Sequence, residues 1–447
     1  MSTPRQWIAK QFYALGKPNV LKYVNELDQM QWLSRDELVA RQHQHLHRLL
    51  EYANSYVPYY RDLFKQIGFH PGDFAADPAT FSDIPLLTKD NVRQNFDRLI
   101  TTEEARRQTS TKTKTGGTTG EPLWLIQEPT YREYNTAHVY HKMTWSGWQV
   151  GQPQAWLWGH AVAGAGAKRS FSMQAKDWLA NRTESNAFHI TEERLEKLAR
   201  QLEKQPGVVI WSYVSAMYRF AQFLQQRGHR IRARALYTAA EPLYSHQREF
   251  IEEIFACRAF DNYSCVEVGS IACECEQHDG LHITTRNCHV EVLREGKPVP
   301  EGTDGEFVLT NLTNLSFPLI RYRVEDWGSQ SPKKCDCGRG LPMLNIVEGR
   351  IIDHFKTRDG RLVWGAFIIP MMPLLGSVKQ YQIVQETMDR LVFRVIRTGP
   401  INEEKFRDIQ QAIKTVLGDN VSAEIEYVDS LPSTPTGKHR YITSLVD

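Results

Sequence analysis

A segment rich in glycine and threonine lies in the first third of the chain, from Thr113 to Pro122, with the sequence TKTGGTTGEP. Glycine has no side chain and lets a ligand approach the backbone closely, while threonine supplies hydroxyl and amide donors. Both properties suit the binding of phosphate oxygens. The segment is not a Walker A loop, because no Gly-Lys-Ser/Thr ends it. By itself it therefore predicts either a phosphate-binding loop or an ordinary loop.

Two clusters of cysteine and histidine in the second half of the chain could bind a metal. They consist of Cys273, Cys275, His278 and His282, and of Cys335 and Cys337. Cysteines separated by one residue can chelate Zn²⁺, and four ligands from two loops would close a tetrahedral structural site. The alternative is that these are free buried thiols. The chain has 7 cysteines, an odd number that fits reduced thiols or a metal site better than a disulfide framework.

Five further motifs follow the glycine-threonine segment in order. They are AAEPL around Glu241, NYSCVEVG from Asn262 to Gly269, PLIRYRVED ending at Asp326, EGR ending at Arg350 with Asp353 after it, and LPSTPTGK ending at Lys438. Each has a plain structural explanation when it is taken alone. Asp326 could form an ion pair with Arg321 or Arg323, Lys438 could be a solvated lysine near a terminus, and Glu-Pro at a strand end could be a turn.

Together and in this order, the motifs resemble the adenylate-forming superfamily of acyl-CoA synthetases, adenylation domains and luciferases. Within it they are most similar to the phenylacetate-CoA ligase family and its capsule-biosynthesis and coenzyme-adenylating branch. The resemblance extends from about Leu49 to Lys438. It implies an AMP-forming ligase that activates a carboxylic acid with ATP as an acyl-adenylate, releases pyrophosphate and transfers the acyl group to CoA. Two alternatives are transfer to an amine, sugar or carrier protein, and a homologue that binds nucleotide without turnover.

The resemblance also implies which residues bind MgATP. The β- and γ-phosphates would be held by Thr115, Gly116, Gly117, Thr118, Thr119 and Gly120. Glu267 would hold Mg²⁺, because a hard cation prefers carboxylate oxygen. Tyr263 would flank the adenine, and Asp326 would accept hydrogen bonds from the ribose hydroxyls.

Three further residues complete the implied active site. Glu241 would shape the nucleotide pocket, and Arg350 would bind nucleotide beside a hinge that extends to Asp353. Lys438 would bridge the carboxylate and the α-phosphate while negative charge builds between them, a task that suits a flexible ammonium group. The sequence departs from the family at Glu121, where lysine is common, and an acidic side chain there weakens the attraction of phosphate.

Members of this branch that keep the later cysteine pair also look like zinc binders. On that pattern the ligands here would be Cys275, His282, Cys335 and Cys337, with Cys273 and His278 as substitutes. Such zinc would be structural, since four protein ligands leave no open position for catalysis.

The pattern of apolar residues predicts the elements that position these motifs. The first hundred residues are amphipathic at helical spacing. Between Pro206 and Glu267, three apolar runs alternate with two helix-like stretches, which predicts β-α-β-α-β and a parallel sheet. Beyond Gly280, the alternating stretches HITTRNCHVEVL and GEFVLTNL predict antiparallel strands. The last hundred residues predict a hairpin around Met388-Asp389, the helix EEKFRDIQQAIKTVL and the strand SAEIEYV.

We therefore predict an α/β protein with two domains. Residues 1–349 would form a large N-terminal domain that binds nucleotide and acid, with a parallel sheet and an antiparallel portion, and residues 350–447 a small α+β lid. Tryptophans at 156, 158 and 211 together with Tyr213 suggest an aromatic or flat acid, although tryptophans on strands are more often part of a core. The sequence does not identify the acid.

Composition limits the partners to small molecules. The 447 residues are 41% hydrophobic and 24% charged, as in ordinary globular proteins. Lys plus Arg number 54 against 52 for Asp plus Glu, a balance that does not favour nucleic acid or acidic membranes. No apolar run approaches the roughly 20 residues of a membrane span, and the first residues do not resemble a secretion signal. We expect a cytoplasmic protein, with a homodimer as a candidate assembly.

Overall fold

The computed structural model describes residues 3–115, 123–158, 171–187, 191–345, 354–358, 362–364, 368–431 and 441–446. It confirms the predicted α/β fold class. The chain divides into two compact units, one of Met1–Glu241 with Ile251–Val347 and one of Pro242–Phe250 with Glu348–Asp447. Among the described residues, no helix has the length and apolar character that crossing a membrane requires.

Helices occupy the N-terminal region, as predicted. They are α1 (Pro4–Gly16), α2 (Pro18–Met30), α3 (Arg35–Tyr56), α4 (Pro58–Ile67), α5 (Pro71–Ala76), α6 (Lys89–Gln94), α7 (Phe96–Leu99) and α8 (Glu104–Thr109), with a 3-10 helix at Pro78–Asp83. The longest, α3, begins with a capping box in which Ser34 and Glu37 each accept the other's backbone N–H. Leu46, Leu49 and Leu50 on one face of α3 are buried in the core, which explains the helical spacing of apolar residues.

A nine-stranded sheet forms the centre of the first unit. The chain leads to it through the hairpin of β1 (Thr111–Lys114) and β2 (Trp124–Gln127) and through α9 (Pro129–Trp145). The parallel part contains β3 (Gln154–Trp158), α10 (Phe171–Leu179), β4 (Arg182–Asn186), α11 (Glu192–Leu202), β5 (Val208–Tyr213), α12 (Val214–Arg227), β6 (Ala233–Ala239), α13 (Ser245–Phe255) and β7 (Ala259–Cys265). The β-α-β-α-β prediction for this region is confirmed.

Antiparallel strands extend this sheet beyond β7. They are β8 (Gly269–Glu274), β9 (Leu281–Ile283), β14 (Gln330–Ser331) and β15 (Met343–Leu344), and the full order is β14-β15-β9-β8-β7-β6-β5-β3-β4. Aromatic rings stack across the parallel strands from Trp156 to Trp211, Tyr237 and Phe260, with centroids 5.6, 4.7 and 4.9 Å apart. Packing within the sheet therefore accounts for Trp156 and Trp211 without a ligand.

A second, four-stranded antiparallel sheet has the order β11-β10-β12-β13. Its strands are β10 (Cys288–Arg294), β11 (Lys297–Pro298), β12 (Gly305–Asn311) and β13 (Tyr322–Gly328). The stretch HITTRNCHVEVL, expected to be one strand, is divided between β9 and β10 in different sheets. The reason lies in its polar centre, where the Thr284 hydroxyl donates to Ser270 O at 2.7 Å and the Asn287 amide donates to Val268 O at 2.8 Å. These bonds to the neighbouring backbone turn the chain.

The second unit contains the predicted hairpin, helix and strand. Its elements are β16 (His354–Lys356), β17 (Leu362–Trp364), a 3-10 helix (Ile369–Leu375), β18 (Gly376–Thr387), β19 (Arg390–Ile401), α14 (Glu403–Leu417), β20 (Ser422–Tyr427) and β21 (Ile442–Ser444). The main sheet has the order β20-β19-β18-β21. Strand β21 was not predicted, because three residues are too short to show a period. The proposed domain boundary falls within residues 346–353, outside the described residues, and stays a prediction.

Candidate functional site

Two tyrosines and two carboxylates link the nine-stranded sheet to the four-stranded sheet. Tyr263 lies on β7 with Glu267 shortly after it, whereas Tyr322 and Asp326 lie on β13. The Tyr263 hydroxyl donates to Asp326 Oδ2 at 2.6 Å, and the Tyr322 hydroxyl donates to Glu267 Oε1 at 3.2 Å. Each tyrosine therefore bonds the carboxylate of the other segment. We call these four side chains the tyrosine–carboxylate junction.

The junction brings together three residues that the sequence placed in one site, Tyr263, Glu267 and Asp326. The fourth, Tyr322, was missed. A signal for it existed, because Tyr322 precedes Asp326 by the same interval that separates Tyr263 from Glu267. Only the contact between the two sheets shows that this repeated spacing pairs the segments.

A bulge in β13 determines the direction of Asp326. Arg323 pairs with Val308 and Trp327 with Glu306, so that residues 324–326 bulge between these pairs. Within the bulge Glu325 has a φ of 68°, a left-handed conformation that is uncommon outside glycine. A bulge redirects side chains and breaks the alternation of a strand. It thereby turns the carboxylate of Asp326 toward Tyr263.

The ion pairs suggested for Asp326 are not formed. Arg321 Nη2 lies 2.9 Å from Glu291 Oε1, and Arg323 Nη2 lies 2.8 Å from Glu306 Oε2. Both guanidinium groups also donate through Nε to the same partners. The interpretation of Asp326 as an ion-pair partner of Arg321 or Arg323 is therefore wrong.

Electrostatics at the junction keep both tyrosines protonated. Burial, followed by the charge of Glu267, raises the pKa of Tyr322 far above its ordinary range. Burial and then the charge of Asp326 raise the pKa of Tyr263. Both hydroxyls thus remain donors, and the carboxylates remain acceptors. Carboxylate oxygens of this kind can bind a hard cation or the hydroxyl groups of a ligand.

The strand order places the junction near a region where open α/β sheets usually bind ligands. The chain runs from β3 to β4 on one side and returns to β5 on the other side of β3. Ligands commonly bind outside the carboxyl ends of the strands at such a reversal. The ends of β5, β6 and β7 at this edge are followed by or carry Tyr213, Glu241 and Tyr263.

Glu241 caps a helix at the same edge. Its Oε2 accepts the backbone N–H of Ser215 at 2.7 Å, and its Oε1 accepts the Ser215 hydroxyl at 2.9 Å. A carboxylate satisfies free N–H groups in the first turn of α12 and interacts favourably with the helix dipole. This capping explains an acidic residue here in structural terms. Its part in a nucleotide pocket stays a prediction.

Thr115 closes the base of the phosphate-type loop. Its N–H donates to Leu123 O at 2.9 Å, and its Oγ1 accepts the Leu123 N–H at 3.0 Å. The loop is thereby anchored to the β1–β2 hairpin. The remaining predicted nucleotide-binding and catalytic residues lie outside the described residues, and their roles stay predictions: Gly116, Gly117, Thr118, Thr119, Gly120, Arg350 and Lys438.

The four predicted zinc ligands converge in space. One ligand atom from each of Cys275, His282, Cys335 and Cys337 lies within 4.8 Å of the others. Cys275 Sγ is 3.6 Å from Cys335 Sγ, and Cys337 Sγ is 3.4 Å from His282 Nε2. With Zn–S near 2.3 Å and Zn–N near 2.05 Å, a tetrahedral site needs separations of about 3.8 and 3.6 Å. The donor set and spacing therefore fit zinc.

Local structure orients these ligands. His282 lies on β9 opposite Met343 of β15, a pairing that brings the loop of the later cysteines to the histidine. His282 Nδ1 bonds Leu341 O at 3.3 Å, which leaves Nε2 for a metal. Burial lowers the pKa of His282 to about 4, so that its imidazole is neutral. A neutral imidazole is the form that binds metal.

The proposed substitutes do not join this cluster among the described residues. His278 instead bonds Glu274 Oε2 through Nδ1 at 3.0 Å. Cys273 is fully buried, and burial raises the pKa of its thiol to about 12. A protonated thiol is a poor metal ligand. Of the two cysteines in the earlier pair, Cys275 alone is in the cluster.

Comparisons with known proteins agree with this architecture. The model of the CapK C-terminal domain family matches residues 355–444. Protein CapK of Staphylococcus aureus is 21% identical over 419 residues, which cover 91% of this chain and 89% of CapK. The phenylacetate-coenzyme A ligase of Thermus thermophilus is 26% identical over 412 residues, which cover 88% of this chain and 87% of that ligase.

A solved structure shares the fold. The 2-hydroxyisobutyryl-CoA ligase in its postadenylation state superimposes with a TM-score of 0.75 and 21% identity, covering 93% of this chain and 91% of that chain. At this level of identity the similarity establishes the fold alone. The homologues of the chain are therefore CapK and the phenylacetate-coenzyme A ligases, and its fold is that of the acyl-CoA ligases of the adenylate-forming superfamily.

Proposed function

We propose that this chain is an AMP-forming ligase that activates a carboxylic acid with ATP and transfers the acyl group to CoA. The observation that carries the proposal is the tyrosine–carboxylate junction, which joins three predicted MgATP-binding residues in a chain homologous to phenylacetate-coenzyme A ligases. The solved 2-hydroxyisobutyryl-CoA ligase supports both half-reactions, because it has been crystallised with 2-HIB-AMP and CoA in the thioesterification state.

In this proposal each carboxylate of the junction has a separate task. Asp326 accepts hydrogen bonds from the ribose hydroxyls while the Tyr263 hydroxyl holds its other side in place. Glu267 supplies a carboxylate oxygen to Mg²⁺, which neutralises charge on the phosphates of ATP. The acid then attacks the α-phosphate, pyrophosphate leaves with the P–O bond electrons, and an acyl-adenylate forms. Attack by the CoA thiol on the acyl carbon displaces AMP.

The acceptor is the part of the proposal with a specific competitor. The family model that matches the C-terminal residues is that of CapK, a protein whose name specifies no CoA chemistry. Transfer to an amine, sugar or carrier protein is therefore the second candidate. A pyrophosphate-release screen of aromatic, aliphatic and hydroxy acids, with and without CoA, tests the first half-reaction. AMP release with each acceptor then tests the second, and CoA-independent AMP release with another acceptor would decide for the competitor.

Asp326 should determine the preference for a ribose over a deoxyribose. We expect Asp326→Ala to weaken ATP binding and to abolish the preference for ATP over 2′-deoxy-ATP, because each hydrogen bond to a charged acceptor contributes about 1.5 to 3 kcal/mol. Titrations with both nucleotides measure the ratio. Tyr263→Phe is the matched control, since it removes the hydroxyl partner of Asp326 but keeps the carboxylate and hence most of the preference. An unchanged ratio in Asp326→Ala would leave the residue only a structural role.

We also propose that Cys275, His282, Cys335 and Cys337 hold a structural zinc ion. Elemental analysis should find about one zinc per chain, and a chelator should lower the melting temperature, because binding to a closed site stabilises the folded state. Cys337→Ser should lose the metal, whereas the control Cys257→Ser, at a half-buried cysteine outside the cluster, should keep it. A melting temperature that is the same with and without metal would contradict the proposal.

A further inference from the structure

We propose that the zinc cluster clamps the N-terminal helices onto the first unit and that Arg339 is the positioning residue that couples the two. The clamped segment is Pro18–Ser34, which comprises α2 and the turn before α3. The clamp is the hook, defined as residues 335–341, which contains two of the four metal ligands. This inference rests on zinc occupancy of the cluster and does not depend on the ligase activity.

The backbone of the hook lies directly against the turn after α2. The N–H of Gly340 donates to the carbonyl of Gln31 at 2.9 Å. A Cβ atom at position 340 would lie 1.8 Å from the carbonyl oxygen of Leu33. Only glycine permits so close an approach of two backbones. The contact therefore depends on the exact path of the hook, which the metal ligands at 335 and 337 would fix.

Arg339 connects a metal ligand to this turn through hydrogen bonds. Its backbone N–H donates to Cys337 Sγ at 3.5 Å, and its Nε donates to Gln31 Oε1 at 2.7 Å. Its Nη1 donates to both carboxylate oxygens of Glu276 at 2.9 Å. Gln31 Oε1 also accepts the indole N–H of Trp145 at 2.8 Å. One amide oxygen thus joins the hook, α2 and α9.

Aromatic contacts hold the same guanidinium group. Its central carbon lies 5.1 Å from the ring centroid of Trp32 and 4.9 Å from that of Trp145. Arg339 is only 8% exposed, and desolvation strengthens a cation–π contact. Trp32 belongs to the clamped segment, whereas Trp145 ends α9. A planar guanidinium suits this arrangement, and an ammonium group cannot reproduce its fork of donors.

Contacts independent of the hook also hold α2. Glu26 Oε1 pairs with Arg286 Nε at 3.1 Å, and the rings of Tyr23 and Tyr134 stack at 3.8 Å. Release of the clamp should therefore open the segment locally and leave the rest of the unit folded. Local opening of this kind is measured by hydrogen exchange.

Hydrogen exchange with mass spectrometry on the full chain tests the clamp. Chelation of zinc and the Cys337→Ser variant should each raise exchange in peptides of residues 18–34 by roughly tenfold or more, with peptides of residues 376–427 as an internal reference. Arg339→Gln should keep one zinc per chain and raise exchange to the same extent, because it removes the connection and not the ligands. Arg339→Lys should restore little of the protection. The control Arg358→Gln, at an exposed arginine paired with Asp389, should change nothing in the segment.

Two results would overturn the inference. One is an Arg339→Gln protein that retains its zinc and shows unchanged exchange in the clamped segment. The other is removal of zinc with no change in that segment. Elemental analysis of the same samples separates these from a failure of zinc occupancy itself, which would also overturn the clamp. Since no turnover is measured, a failure of the proposed ligase activity cannot produce any of these results.

Discussion

Replacing Lys438 by alanine is expected to lower the rate of acyl-adenylate formation by about 10² to 10³, with ATP binding retained. The reason is electrostatic: negative charge builds between the acid and the α-phosphate in the transition state, and a positioned ammonium group stabilises it by roughly 3 to 4 kcal/mol. ATP–pyrophosphate exchange with an acid found in the substrate screen measures this half-reaction. Reaction of CoA with preformed acyl-adenylate should be much less affected, because the charge is needed while the adenylate forms.

Lys405→Ala provides the matched control for this variant. Lys405 lies on α14 in the same unit and is exposed, with its ammonium group 2.9 Å from Asp408 Oδ2. Its removal should leave both half-reactions unchanged. Equal rates of ATP–pyrophosphate exchange in Lys438→Ala and Lys405→Ala would mean that the chain does not use the superfamily's mechanism.

Glu267→Gln is expected to have the second largest effect, a loss of about 10² in adenylation at a fixed Mg²⁺ concentration. Glutamine retains an oxygen that can accept the Tyr322 hydroxyl, so the tyrosine–carboxylate junction should survive. The negative charge that holds the hard cation is lost. The dependence of the exchange rate on Mg²⁺ should therefore shift to higher concentration.

The control for this experiment is Glu301→Gln. Glu301 is a partly exposed carboxylate that pairs with Arg35, and surface pairs of this kind contribute about 1 kcal/mol or less. Its loss should leave the Mg²⁺ dependence unchanged. If Glu267→Gln also showed the parental Mg²⁺ dependence, Glu267 would not be the magnesium ligand.

Local sequence patterns were sufficient to predict most secondary structure. Apolar residues at helical spacing marked α3, and apolar runs of strand length marked β5, β6 and β7, because these periods reflect which face of an element is buried. The same approach failed at HITTRNCHVEVL. There, bonds from Thr284 and Asn287 to the backbone near β8 divide the chain between two sheets. A polar side chain in an alternating pattern does not reveal which distant carbonyl it bonds.

The order of motifs also predicted which residues belong to one site, but it did not predict how they meet. Sequence placed Tyr263, Glu267 and Asp326 together, yet it suggested arginine partners for Asp326. The structure assigns those arginines to Glu291 and Glu306. The missing information was the bulge in β13, which arises from the pairing of β12 with β13 and redirects a single carboxylate.

The sequence by itself thus determined the fold class, the order of elements and the set of ligand types, since composition, period and motif order are properties of the chain alone. Tertiary structure decided which cysteine joins His282, why Tyr322 bonds Glu267, and that Arg339 reaches Gln31. Each of these contacts joins segments that are remote in the sequence. Their geometry depends on strand register and on close approaches such as that of Gly340 to Leu33. Register and packing are fixed only when the two segments meet, because each backbone then limits the positions open to the other.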